Sequence, residues 1–218
     1  MVPLLEAAGH TALAPDLIGM GGDAAPDNPP TIGDWADQIA GLLEAQIEAV
    51  ILVGHSRGGV VISEAAERVP DRIACLVYLT ALLLVNGQTM DEALSPPPGT
   101  QRTRIIETAG DGWIAVKPEH VLGHFYNRTA PEWAERAQSL LRPEPVFSFL
   151  TPVMLTPERF GRVPRAYIEC TDDNAISLSA QRAMQARLPC DPVITMDADH
   201  SPFYSDPEGL ARALLSLA

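Results

Sequence analysis

A serine stands between two glycines in Gly54-His55-Ser56-Arg57-Gly58, after the apolar run 49–53 and before a helical pattern. A tight turn alone would explain the glycines, which tolerate backbone angles that other residues avoid. A chain of this length should hold roughly 0.07 such patterns by chance, so context must decide. A sharp turn from strand to helix would hold the Ser56 hydroxyl clear of its neighbours, near the positive end of the helix. A hydroxyl in that position is a weak nucleophile until a base takes its proton. His200, in MDADHSPF, follows the last strand-like run and is the candidate base. An acid must then orient the imidazole and stabilise its charged form. The loop TDDNAIS offers two, Asp172 and Asp173. Serine, acid and histidine in this chain order suit acyl transfer through a covalent intermediate. The Arg57 N–H would donate to the oxyanion.

The remaining candidates are weaker. His10 precedes an early strand and reads as structural. His55 adjoins Ser56, so its ring should point elsewhere. His120 and His124 share one helical face and could bind a metal, but no further ligand motif accompanies them, and a polar face is the better reading. Asp199 adjoins His200 and should point away from it. After the run CLVYLT no carboxylate occurs until Asp91, so that strand end supplies no acid. The Arg57 side chain reads as a surface charge.

These residues need a scaffold that brings several strand ends together. The sequence VPLLEAAG (2–9) reads as a helix ended by Gly9, and HTALAP (10–15) as a strand. A loop rich in Gly, Asp and Pro runs to Pro30. Thr31 then caps a helix whose buried face is Ile32, Trp35, Ile39, Leu42 and Leu43. Strands are predicted at 49–54, 72–80, 165–170 and 192–196, and helices at 57–69, 177–188 and 207–217. Alternating strands and helices predict a mostly parallel sheet flanked by helices in a single domain, 1–218. Between about 82 and 163 the alternation breaks into Pro-rich stretches, aromatics and helical pieces without a clear strand. That span is too long for a structureless loop and reads as an inserted helical cap over the strand ends.

Composition narrows the partners. The chain has 218 residues, 46% hydrophobic and 20% charged, enough for one sizeable core. Lys+Arg 15 against Asp+Glu 28 gives −13, and Lys117 is its one lysine. Such a surface repels nucleic-acid phosphates and anionic membranes. Cys75, Cys170 and Cys190 form no CxxC pair, which argues against a zinc site or disulfide framework and suits a reducing cytoplasm. No cofactor is called for, and a homodimer stays open.

The segments LLEAAGHTALAPDLIGMG, ILVGHSRGGVVISEAAE, IACLVYLTALLL, YIECTDDNAIS and DADHSPFYSDPEGLA resemble the methylesterase and hydroxynitrile lyase family of α/β-hydrolases. That family includes plant methyl-ester hydrolases and bacterial esterases of the pyrethroid-hydrolase type. The resemblance covers almost the whole chain and is weakest in the cap. It implies that the acid stands second after the threonine of a T-x-D loop, which selects Asp173 over Asp172. It also implies an apolar cap pocket, for which Trp113, Phe125, Trp133, Phe147 and Phe149 are the available aromatics. Lyase members carry a lysine after the histidine; Ser201 stands there, which favours ester hydrolysis.

One departure matters. Family members begin with a strand ending in His-Gly, whose loop supplies a second oxyanion N–H. This sequence opens inside the following helix, so about 20 residues of the pattern are absent, as a misplaced start codon would produce. The expectation is a sheet without that central strand, with HTALAP poorly paired to AVILVG or apart from it. The readings are thus a serine carboxylesterase acting on a small, largely apolar ester, a lyase on the same scaffold, and a silent ligand-binding protein.

Overall fold

The computed structural model describes residues 1–21, 28–95 and 105–218. Much of the loop before Pro30 and most of the SPPPGT stretch lie outside them. Helix α1 (Val2–Ala7) is followed by α2 (Ile32–Glu44), β1 (Val50–His55), α3 (Gly58–Arg68) and β2 (Ile73–Leu79). The segment after β2 holds α4 (Met90–Leu94), β3 (Ile106–Thr108), β4 (Trp113–Val116), α5 (Pro118–Phe125), α6 (Pro131–Leu140), β5 (Glu144–Pro145) and α7 (Phe147–Leu150). The chain closes with β6 (Arg165–Cys170), α8 (Leu178–Arg187), β7 (Val193–Met196), α9 (Pro202–Ser205) and α10 (Pro207–Leu215).

Strands β1, β2, β6 and β7 form one parallel sheet in the order β1-β2-β6-β7. The registers His55 with Leu79, Leu79 with Ile168, and Cys170 with Met196 bring the carboxyl ends of all four strands to one side. The loops bearing Ser56, Asp172, Asp173 and His200 therefore open on a common rim, where ligands of open α/β sheets bind. Alternation along β2 sends Leu76 and Tyr78 to one face and Val77 and Leu79 to the other. The first face packs α2 and α3 through Trp35, Ile39, Val60 and Val61; the second packs Leu210 and Ala213 of α10 with Ile168 and Cys170 of β6. Each fully buried side chain of this size contributes about 1.5–3 kcal/mol of hydrophobic stabilisation.

Helix α2 starts as its sequence predicts. Thr31 Oγ1 accepts the Asp34 N–H at 3.1 Å, and Asp34 accepts the Thr31 N–H at 2.8 Å, satisfying two donors that a helix start leaves unpaired. Its buried stripe holds Ile32, Trp35, Ile39 and Leu43. Leu42 lies off that stripe and is 40% exposed, so its expected burial is corrected.

Two further expectations change. Residues 10–15 form no strand; they are mostly exposed and pair with no described strand. An extended segment keeps strand geometry only where a neighbour takes its N–H and C=O groups. The segment is not paired with β1, the edge of the sheet among the described residues, where Val53 is 40% exposed. The segment between β2 and β6, expected as a helical cap, is not purely helical. Strands β3, β4 and β5 form an antiparallel sheet in that order, with Thr108 opposite Ile114 and Trp113 opposite Pro145. The turn in IETAGDGWIAV makes it: Ala109 N–H donates to Trp113 C=O at 2.9 Å, and Trp113 N–H to Gly110 C=O at 3.2 Å. Asp-Gly between two apolar runs is a hairpin signal.

The three cysteines are free. Burial pushes the thiols of Cys170 and Cys190 up to about 12, and raises that of Cys75 as well.

Candidate active site

Ser56 occupies a left-handed backbone position, φ 54°, between the end of β1 and the start of α3. Such a conformation strains a non-glycine residue and persists only when its surroundings enforce it. Two glycines allow the enforcement. A Cβ on Gly54 would lie 2.5 Å from the Gly58 carbonyl oxygen, and one on Gly59 would lie 2.4 Å from that of Leu82. Gly58, the second glycine of the sequence pattern, has open space where its Cβ would stand. Leu82 N–H donates to Ser56 C=O at 3.0 Å, and Ser56 N–H to Leu79 C=O at 3.3 Å, so the rim of β2 holds the turn.

The structure brings together Ser56, His200 and Asp173. Ser56 Oγ is 2.9 Å from His200 Nε2, and His200 Nδ1 is 2.7 Å from Asp173 Oδ2. A carboxylate only accepts, so Nδ1 carries the proton and Nε2 offers its lone pair to the serine hydroxyl. His200 and Asp173 are buried. Asp173 also accepts the Thr80 hydroxyl and the main-chain N–H groups of Ala175 and Ile176, at 2.7 and 2.8 Å. These donors fix the carboxylate before the imidazole meets it. Asp172 points outward to Arg128 at 3.3 Å and is exposed. Thr80, at φ 37° just past β2, is a member of the site that no sequence signal marks.

The other histidines take separate roles. His55 turns from Ser56, and its Nε2–H donates to the His200 carbonyl at 2.6 Å. Its ring lies 4.7 Å from that of His200 and edge-on to Phe203. Burial, then the neighbouring His200, lowers its pKa to about 3, so it stays neutral. His120 and His124 face each other with ring centroids 5.5 Å apart on α5, and no group of three metal-ligating side chains occurs among the described residues. His10 is exposed. Asp199 points away from the imidazole, as its adjacency to His200 predicts, but into the cap, as its hydrogen bonds show.

The Arg57 side chain corrects the sequence reading. It is 16% exposed, with its guanidinium 4.2 Å over the Trp35 ring and Nε 3.0 Å from Glu144 Oε2 of β5. Aromatic stacking and a counter-charge make that burial tolerable. Glu144 lies off the N–H direction, and Nε and Nη1 have no hydrogen-bond partner among the described residues. Arg57 is the N-cap of α3, and its main-chain N–H stands at the helix start, where N–H groups have no intrahelical partner. Of the cap aromatics, Phe125 reaches the site, 5.4 Å from the His200 ring. Trp133 stacks on Tyr204 and is half exposed, Phe147 is 57% exposed, Phe149 packs on the core, and Trp113 is half-buried on β4.

A serine held at positive φ between a parallel strand and its crossover helix belongs to one large class of enzymes. The description "Alpha/beta hydrolase family" fits residues 1–213, and the chain belongs to that family. It is similar to a pyrethroid hydrolase from Sphingobium wenxiniae, 32% identical over 228 residues that span 100% of this chain and 81% of that protein. It is also similar to putative methylesterase 14, chloroplastic, from Arabidopsis thaliana, 30% identical across 100% of this chain and 67% of the relative. Among solved structures, a pyrethroid hydrolase from Sphingobium faniae matches with TM-score 0.85 and 32% identity, over 99% of this chain and 89% of that one. Polyneuridine aldehyde esterase matches with TM-score 0.85 and 25% identity, over 99% and 91%.

Proposed function

We propose that this chain is a serine carboxylesterase acting on a small, largely apolar ester. The observation that carries the reading is the continuous contact from Ser56 Oγ through the His200 ring to Asp173 on the rim of the sheet. Relatives named as methylesterases and as a pyrethroid hydrolase support it. Ser56 Oγ attacks the ester carbonyl carbon while His200 Nε2 takes the hydroxyl proton. Negative charge grows on the carbonyl oxygen, and the Arg57 N–H at the start of α3 donates to it. His200 returns the proton to the departing alcohol, leaving an acyl group on Ser56. Water then attacks the acyl carbon, its proton passing to Nε2 and back to Ser56 as the acid leaves. Asp173 stays ionised throughout and stabilises the imidazolium.

Hydrolysis of a chromogenic short-chain ester tests the reading. Ser56→Ala is expected to lower kcat at least about 10⁴-fold, and Asp173→Asn by a similar factor, with Asp172→Asn close to wild type. Turnover retained in Ser56→Ala would overturn it. Mandelonitrile should release negligible cyanide, because Ser201 brings no positive charge to a departing cyanide ion.

A further inference from the structure

The loop that carries His200 holds a second carboxylate with no part in the steps above. Asp199 is fully buried. Its Oδ2 accepts the Arg128 N–H at 2.9 Å and the Thr129 hydroxyl at 3.0 Å, both in the cap between α5 and α6. Its Oδ1 accepts the Ser201 N–H at 3.0 Å and the Ser205 hydroxyl at 2.7 Å, both on the His200 side. Two donors from each side fill the two oxygens. The same stretch of cap meets the acid loop. Asn127 Nδ2 donates to Asp172 C=O at 3.0 Å, Asn174 Nδ2 donates to Gly123 C=O at 2.9 Å, and Arg128 pairs with Asp197 and Asp172. These other contacts are exposed; the Thr129–Asp199 bond is buried.

We propose that Asp199 is a positioning residue that locks the His200 loop to cap residues 128–129, so that cap and imidazole are set as one unit. The proposal rests on the reading of Ser56, His200 and Asp173 as the reacting groups. A carboxylate is required because all four partners donate and only a carboxylate accepts on both sides. In Asp199→Asn the amide nitrogen must face a main-chain N–H, of Arg128 in one orientation and of Ser201 in the other. Either the cap or the base is released.

The test uses the full chain and compares Asp199→Asn with Glu169→Gln. Glu169 is a buried β6 carboxylate whose side chain binds Arg182, Gln185 and Thr195, and among the described residues it makes no hydrogen bond to Ser56, Asp173, His200 or residues 128–129. Asp199→Asn should lower kcat about tenfold to a hundredfold, since a displacement near 1 Å costs that much. KM should change far less, and the low-field proton resonance of His200 Nδ1–H should shift or broaden. Glu169→Gln should lower Tm and leave kcat and the resonance unchanged. Wild-type kcat and resonance in Asp199→Asn would overturn the proposal. If that variant does not fold, Thr129→Ala should lower kcat several-fold and Thr129→Ser should restore it; wild-type kcat in both Thr129→Ala and Ser205→Ala would overturn it. Turnover retained in Ser56→Ala would instead remove the reading on which it rests.

Discussion

Gly54, Gly58 and Gly59 respond differently to one added methyl group. Gly54→Ala and Gly59→Ala drive a Cβ into carbonyl oxygens at 2.5 and 2.4 Å, and should each destabilise by at least about 1–3 kcal/mol with loss of activity. Gly58→Ala meets open space at a helix start and should keep Tm and kcat near wild type. Thermal melts of the three variants beside an ester assay check this. His55 sets a pH dependence. Its native pKa of about 3 lies below the ordinary histidine value, so the unfolded chain binds a proton that the native state does not. Stability is therefore full above about pH 6.5 and falls on acidification toward pH 3, at about 1 kcal/mol per unit. Asp34 and Glu169, whose pKa values are lowered by Thr31 and Arg182, lose their contributions as pH falls below the usual carboxylate range, at lower pH than the start of the His55 slope. Denaturant melts of His55→Gln should show that slope flattened. Sequence order and strand ends were enough to pair Ser56 with His200, whose side chains lie 2.9 Å apart. Asp173 and Asp172 are neighbours with opposite directions, and the residues alone did not separate them. Arg57 was misread because its burial depends on Trp35 and Glu144, whose approach no local pattern records.

Among the elements, strands with a neighbour on each side were the easiest to read. Strands β2 and β6 carry apolar residues on both faces, so their patterns are unambiguous. HTALAP also carries apolar residues but pairs with no described strand, and composition does not report pairing. The cap hairpin was missed for the opposite reason: its strands are short and only half-buried, and the Asp-Gly turn between them was the available signal. Among the described residues strand β1 pairs on one side only, and an edge with an exposed apolar side chain such as Val53 invites another chain to pair with it. Val53→Lys places a charge there. It should reduce light scattering by concentrated protein, while kcat stays within about twofold because the strand end is untouched.

At the scale of the whole molecule, the sheet gathers Ser56, Asp173 and His200 onto one rim, and the segment between β2 and β6 is hydrogen-bonded to two of the loops that carry them. Asp173 is tied to Thr80 of the neighbouring strand end, and the His200 loop to Thr129 above it. No helix among the described residues is long and apolar enough to cross a membrane. The raised thiols have a practical consequence. With Cys170 and Cys190 near 12 and Cys75 also raised, almost no thiolate exists at neutral pH, and the thiolate is the form that alkylating reagents attack. Iodoacetamide at pH 7 should leave both intact mass and ester turnover unchanged, whereas a fluorophosphonate should add once, at Ser56, and stop turnover. Thiol-directed reagents could then clear reactive cysteines from a crude lysate while this protein remains available to a serine-directed fluorescent tag.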